Sequence, residues 1–122
     1  MLAVGLRPAE SQFGIVTLWD VASGTEIRQF TADESDVRCL TFSPDGSLLA
    51  ATTHSTLKVC DVATGRETLR WKRDGDSVSC VAFSADGTRL ASSYAGQVNV
   101  WDLASGQQIQ SLPHMFPVYR VA

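Results

Sequence analysis

One spacing governs this chain. Trp19-Asp20, Cys60-Asp61 and Trp101-Asp102 stand 41 residues apart, and each pair runs into a short tract ending in glycine: Val21-Ala22-Ser23-Gly24, Val62-Ala63-Thr64-Gly65 and Leu103-Ala104-Ser105-Gly106. A second landmark keeps the same step, because Phe42-Ser43-Pro44-Asp45-Gly46 returns as Phe83-Ser84-Ala85-Asp86-Gly87 and the Val37/Cys39 pair returns as Val78/Cys80. Between 37–61 and 78–102, 10 of 25 positions are identical without a gap, so the repeat is a structural unit rather than a compositional accident.

Inside one unit the pattern is strand-like, with short apolar tracts separated by turn residues every eight to twelve positions or so. Val37–Ser43 reads as a first strand, and Pro44-Asp45-Gly46 turns the chain into Leu48–Thr53. A short link at His54-Ser55 leads to a third strand, Leu57–Val62, and Ala63-Thr64-Gly65 turns into a fourth, Glu67–Trp71. The next unit follows step for step as Ser77–Ser84, Arg89–Tyr94, Val98–Leu103 and Gln107–Leu112. Tracts such as Val78–Phe83 are apolar on both faces, the mark of strands packed from two sides. A four-stranded sheet of this kind cannot bury both faces alone and must stack on its neighbours.

Period, Trp-Asp pairs and Ser-Xaa-Asp-Gly turns coincide in register, and on these residues the chain resembles the WD-repeat family of β-propellers over essentially its whole length. The resemblance implies an all-β propeller segment of about three four-stranded antiparallel blades, not a closed ring on its own. Trp19, Asp20, Asp61, Trp101, Asp102, Asp45, Gly46, Asp86 and Gly87 are its repeat signature. Blades are expected at 37–71 and 78–112, with a part-blade at 1–30 and the first strand of a further blade at 118–122, because Val118–Ala122 aligns with Val78–Ala82. WD-repeat rings have roughly four to eight blades, so the chain is expected to need further blades, from a longer polypeptide or from other copies.

Two departures stand against the family pattern. Cys60 replaces the tryptophan of the second repeat, and the Gly-His pair that many WD-repeats carry before the first strand is represented only by Pro113-His114. Blades here are therefore expected to be held mainly by apolar packing. Trp71, aligned with Phe30 and Leu112, is assigned to packing between blades, and Cys39 and Cys80 to small buried hydrophobes.

Composition removes several function classes. Ten basic residues against thirteen acidic ones leave a net charge of -3 and no basic stripe, so nucleic acid is not an expected partner. No apolar run approaches the roughly 20 residues of a membrane helix, no export signal opens the chain, and a cytoplasmic protein without membrane partners is expected. Three cysteines without CxxC spacing and two histidines in different links give no expected metal site or cofactor. No nucleophile elbow or glycine-rich phosphate loop is present, and Asp45 and Asp86 are turn residues of separate repeats, so an enzyme is not expected.

What remains is surface. Links between fourth and first strands and between second and third strands vary from repeat to repeat, while the opposite turns do not, and variable loops on a rigid frame are where binding residues concentrate. The expected partner-binding positions are Asp33, Glu34 and Asp36, an acidic edge suited to a basic peptide, together with His54, Lys72, Arg73, Tyr94, His114, Met115 and Phe116. Met115-Phe116 reads either as a partner anchor or as packing over the neighbouring blade. The expected function is a non-catalytic protein-interaction scaffold, with a structural unit of a homo-oligomeric ring or of a longer multidomain protein as the alternative.

Overall fold

The structure is a computed structural model that describes residues 1–6, 14–32, 37–72, 78–94 and 97–113. Eleven strands and no helix make up the described chain: β1 (Leu2–Leu6), β2 (Gly14–Asp20), β3 (Thr25–Ala32), β4 (Cys39–Phe42), β5 (Leu48–Thr52), β6 (Thr56–Asp61), β7 (Glu67–Lys72), β8 (Val78–Phe83), β9 (Arg89–Tyr94), β10 (Gln97–Asp102) and β11 (Gln107–Pro113). They form three antiparallel sheets in sequential order, β1-β2-β3, β4-β5-β6-β7 and β8-β9-β10-β11, and the sheets do not close into a ring. The first strand of the second sheet is shorter than the residues suggest, beginning at Cys39 rather than Val37, and its third strand runs from Thr56 to Asp61.

Two turns, each used repeatedly, explain the sequence signature. In the Ser-Xaa-Asp-Gly turn the Ser43 hydroxyl donates to the Asp45 carboxylate at 2.7 Å, and the Ser47 amide and hydroxyl donate to the same oxygen at 2.9 and 2.7 Å. Ser43 Oγ in turn accepts from the Leu48 amide at 3.0 Å, and Gly46 takes a φ of 75° that a side chain would strain. The next sheet repeats this bond for bond with Ser84, Asp86, Thr88 and Arg89. The hydroxyl of Ser47 is the first cause, and that of Ser84 in the second turn, of both carboxyls being held at about 2, below the ordinary 3.8. A depressed folded-state pKa contributes stability above the unfolded value that disappears as pH falls through the folded one. Between pH 4 and 2 the native protein should therefore lose stability, and an Asp45→Asn/Asp86→Asn variant should show a flatter loss over that window in urea titrations. Parallel profiles would contradict the role of these turns.

The other turn belongs to the Trp-Asp position. Asp20, Asp61 and Asp102 each accept the backbone N–H two residues ahead, at 3.0, 2.9 and 3.3 Å, as carboxylates do in Asx turns. Gly24, Gly65 and Gly106 close the same loop by donating to the carbonyl of that aspartate at 2.8 Å. Just before it, the pairing of each third strand with its fourth slips by one residue at Leu18/Trp19, Val59/Cys60 and Val100/Trp101. A bulge at this point sharpens the local twist, and it recurs with the same 41-residue step as the sequence.

The core lies between sheets. Ala50, Leu57, Val59, Leu69, Val78, Val81, Leu90 and Trp101 form the cluster between the second and third sheets. Val16, Leu18, Leu49 and Val62, covered by Phe30, Val37, Leu40 and Phe42, form the one between the first and second. Gly5 lets β1 approach the second sheet closely, since a Cβ there would stand 2.8 Å from that of Val37.

Candidate interaction surface

Strand register sorts the connections onto two ends. Cys39 pairs with Thr52, Thr56 with Lys72, Val78 and Gln97 with Tyr94, and Gly14 with Ala32, so the variable links share one end of the stack. The aspartate turns, formed after Phe42, Asp61, Phe83 and Asp102, share the other end and bond internally. Of the expected partner-binding positions, His54 and Lys72 are exposed at the link end. Tyr94 closes β9 at the same end. Asp33, Glu34, Asp36, Arg73, His114, Met115 and Phe116, and the strand expected at 118–122, lie outside the described residues.

The link end is tied to the frame by bonds that cross between sheets. The amide of Val78, opening the third sheet, donates to the His54 carbonyl in the second at 3.2 Å, and Lys58 Nζ donates to the Thr31 carbonyl of the first at 3.0 Å. At the turn end, Arg28 on β3 donates from Nη1 to the Thr64 carbonyl at 3.0 Å and from Nη2 to that of Ala63 at 2.9 Å. These polar latches add to the apolar packing expected from sequence, and nothing in the 41-residue pattern announces them, because Arg28 and Lys58 have no counterpart of the same type one repeat on. The third sheet keeps a fragment of buried polar bonding as well, since Trp101 Nε1 donates to Ser92 Oγ at 3.1 Å.

Where the second repeat lacks its tryptophan, the packing differs. Trp101 lies against Trp71 with ring centroids 5.5 Å apart, tilted by 60°, a geometry aromatic pairs favour. One interface back, a small cavity of ≈ 20 Å³ is lined by Val16, Phe30, Leu49, Ala51, Thr53, Thr56 and Cys60, among others. Cys60 and Phe30 thus line a gap at the positions equivalent to the two indoles. The hydroxyls of Thr53 and Thr56 are buried without a hydrogen-bond partner. An unpartnered buried hydroxyl costs stability that an apolar replacement recovers, so Thr56→Val should leave the urea midpoint unchanged or raise it, by up to about 1 kcal/mol. A loss of 1 kcal/mol or more would mean that the hydroxyl has a partner.

Among the described residues, no group of three or more His, Cys, Asp or Glu side chains could hold a metal ion.

Three bulged, aspartate-capped antiparallel sheets stacked side by side, with constant turns at one end and variable links at the other, define an open propeller-type segment. The family model for the WD domain, G-beta repeat, matches residues 24–61 and 66–102, and the chain belongs to that WD40 family. Repeats of this family generally mediate protein–protein interaction or scaffolding. No curated protein matches the chain.

Proposed function

We propose that this chain is a non-catalytic interaction platform that binds a peptide or protein segment across its link end. The observation supporting this reading is the register that gathers the second-to-third and fourth-to-first links, with exposed His54 and Lys72, at one end of the stack. Cross-sheet bonds from His54, Thr31 and Lys58 hold the base of those links, so a partner would meet a frame that changes shape little on binding. By sequence, Asp33, Glu34 and Asp36 fall in a fourth-to-first link, where their charge would favour basic segments, and Met115-Phe116 would supply an apolar contact to the partner.

The test is selection from a random peptide display library against the whole chain, followed by affinities for substituted proteins. Selected peptides should be enriched in Lys and Arg and lose roughly tenfold or more in affinity with His54→Ala/Lys72→Ala, a loss of about 1.4 kcal/mol. Thr64→Ala/Ser105→Ala at the turn end should leave affinity unchanged. Binding that depends on the turn end instead, or no selected binders, would refute the proposal.

A second reading is favoured by the first sheet, in which β1 is an edge strand with a neighbour on one side only among the described residues. An open edge is a template for another strand, and exposed Met1 and Leu2 lie along it. On this reading further blades, from the same longer polypeptide or from other copies, complete the stack. Light-scattering mass that rises in discrete steps with concentration supports assembly between copies, whereas a constant monomer mass opposes it.

A further inference from the structure

The two inner-strand cysteines meet across a blade boundary. Cys39 on β4 and Cys80 on β8 are 41 residues apart in sequence, and their sulfurs are 3.7 Å apart, in contact. From sequence they read as buried hydrophobes of separate repeats, and only the stacking of consecutive blades brings their equivalent positions together. Neither is sealed from solvent, both being half-buried. An open surface cleft of ≈ 150 Å³, lined by Gly5, Val37, Arg38, Cys39 and Leu40, reaches Cys39. The third cysteine is set apart: Cys60 is 5% exposed and lines the cavity at the other interface.

We propose that Cys39 and Cys80 are a cross-linking site at which a small disulfide, of the oxidised glutathione type, joins the second and third blades covalently. Cys39, reached through the cleft, gives up its proton, and its thiolate attacks one sulfur of the small disulfide. The S–S bond of that molecule breaks and one glutathione thiolate leaves, taking up a proton. Cys80, deprotonated in turn, attacks the Cys39 sulfur of the mixed disulfide and expels the second glutathione, which also takes up a proton. Two protein thiols are oxidised by two electrons, and one glutathione disulfide is reduced to two thiols. Bond formation closes the sulfurs from 3.7 Å to the bond length of about 2.05 Å. Burial, helped by Cys80 alongside, raises the Cys39 pKa above its ordinary value, so the first attack is slow at neutral pH and faster in mild alkali.

Trypsin separates the three cysteines, because Arg38, Lys58, Arg66, Arg73 and Arg89 place Cys39 in 39–58, Cys60 in 59–66 and Cys80 in 74–89. Folded whole chain is incubated with oxidised glutathione, quenched by alkylation, digested without reductant and mapped by mass spectrometry. The expected product is 39–58 joined to 74–89, two hydrogens lighter than the sum, with 59–66 recovered singly. Its thermal midpoint should be higher by several degrees, since the link restricts the unfolded chain. Cys80→Ala should carry glutathione on Cys39 and yield no linked peptide. Unmodified thiols, a stable mixed disulfide on either cysteine of the native chain, links to Cys60 or links between chains would each overturn the proposal while circular dichroism shows the fold intact.

Discussion

Trp101→Ala should reduce stability by about 3–5 kcal/mol, the range for removing a large aromatic side chain from a packed interior. The indole is 5% exposed and belongs to the cluster between the second and third blades. Its removal takes away the ring contact with Trp71 and leaves Ser92 Oγ without its donor in a fully buried position. Urea unfolding followed by circular dichroism measures the loss. Ser92→Ala separates the two contributions, because it keeps the ring and deletes only the acceptor, and should cost about 1–3 kcal/mol for an indole N–H left unpaired. A loss below 1 kcal/mol in Trp101→Ala would contradict the packing described for this interface.

The second large effect falls at the other interface. Leu18 has 0% exposure and sits at the centre of the cluster with Val16, Leu49 and Val62. Leu18→Ala should cost about 2–5 kcal/mol, and the loss should be uneven along the chain. A stack of repeats is held by nearest-neighbour interfaces, so weakening the first should release β1–β3 while the second interface persists. Amide hydrogen exchange should then show β2 and β3 losing protection before β8, β9 and β10. Equal loss in all three sheets would mean that the blades unfold as one cooperative unit.

How much of this was legible from residues follows from where each contact lies. Strands β9 and β11 fall where the 41-residue pattern places them, give or take a residue, because turns such as Ala85-Asp86-Gly87 and Ala104-Ser105-Gly106 bond within one repeat. Contacts between repeats were not legible. The Arg28 clamp on Ala63 and Thr64, the Lys58 bond to Thr31 and the Cys39–Cys80 contact each depend on which side chains two neighbouring sheets turn toward one another. A period within the chain carries no record of that choice. One signal existed, since two cysteines at equivalent inner-strand positions become neighbours once repeats are stacked side by side. The Cys60 substitution was legible as a lost tryptophan, but the cavity beside it and the orphaned threonine hydroxyls depend on how far the first two sheets close over the gap. Of the expected partner-binding positions, His54, Lys72 and Tyr94 fall within the described residues, and strand register alone brings them to one end.

That shared end carries the functional account, and amide chemical-shift mapping with a library-selected basic peptide tests it most directly. Perturbations should concentrate at 53–55, at Lys72, at Tyr94 and at the ends of β3 and β8 beside them, while Asp45–Ser47, Ala63–Gly65 and Asp86–Thr88 stay unmoved. Shifts concentrated in those aspartate turns would contradict the assignment of the binding surface.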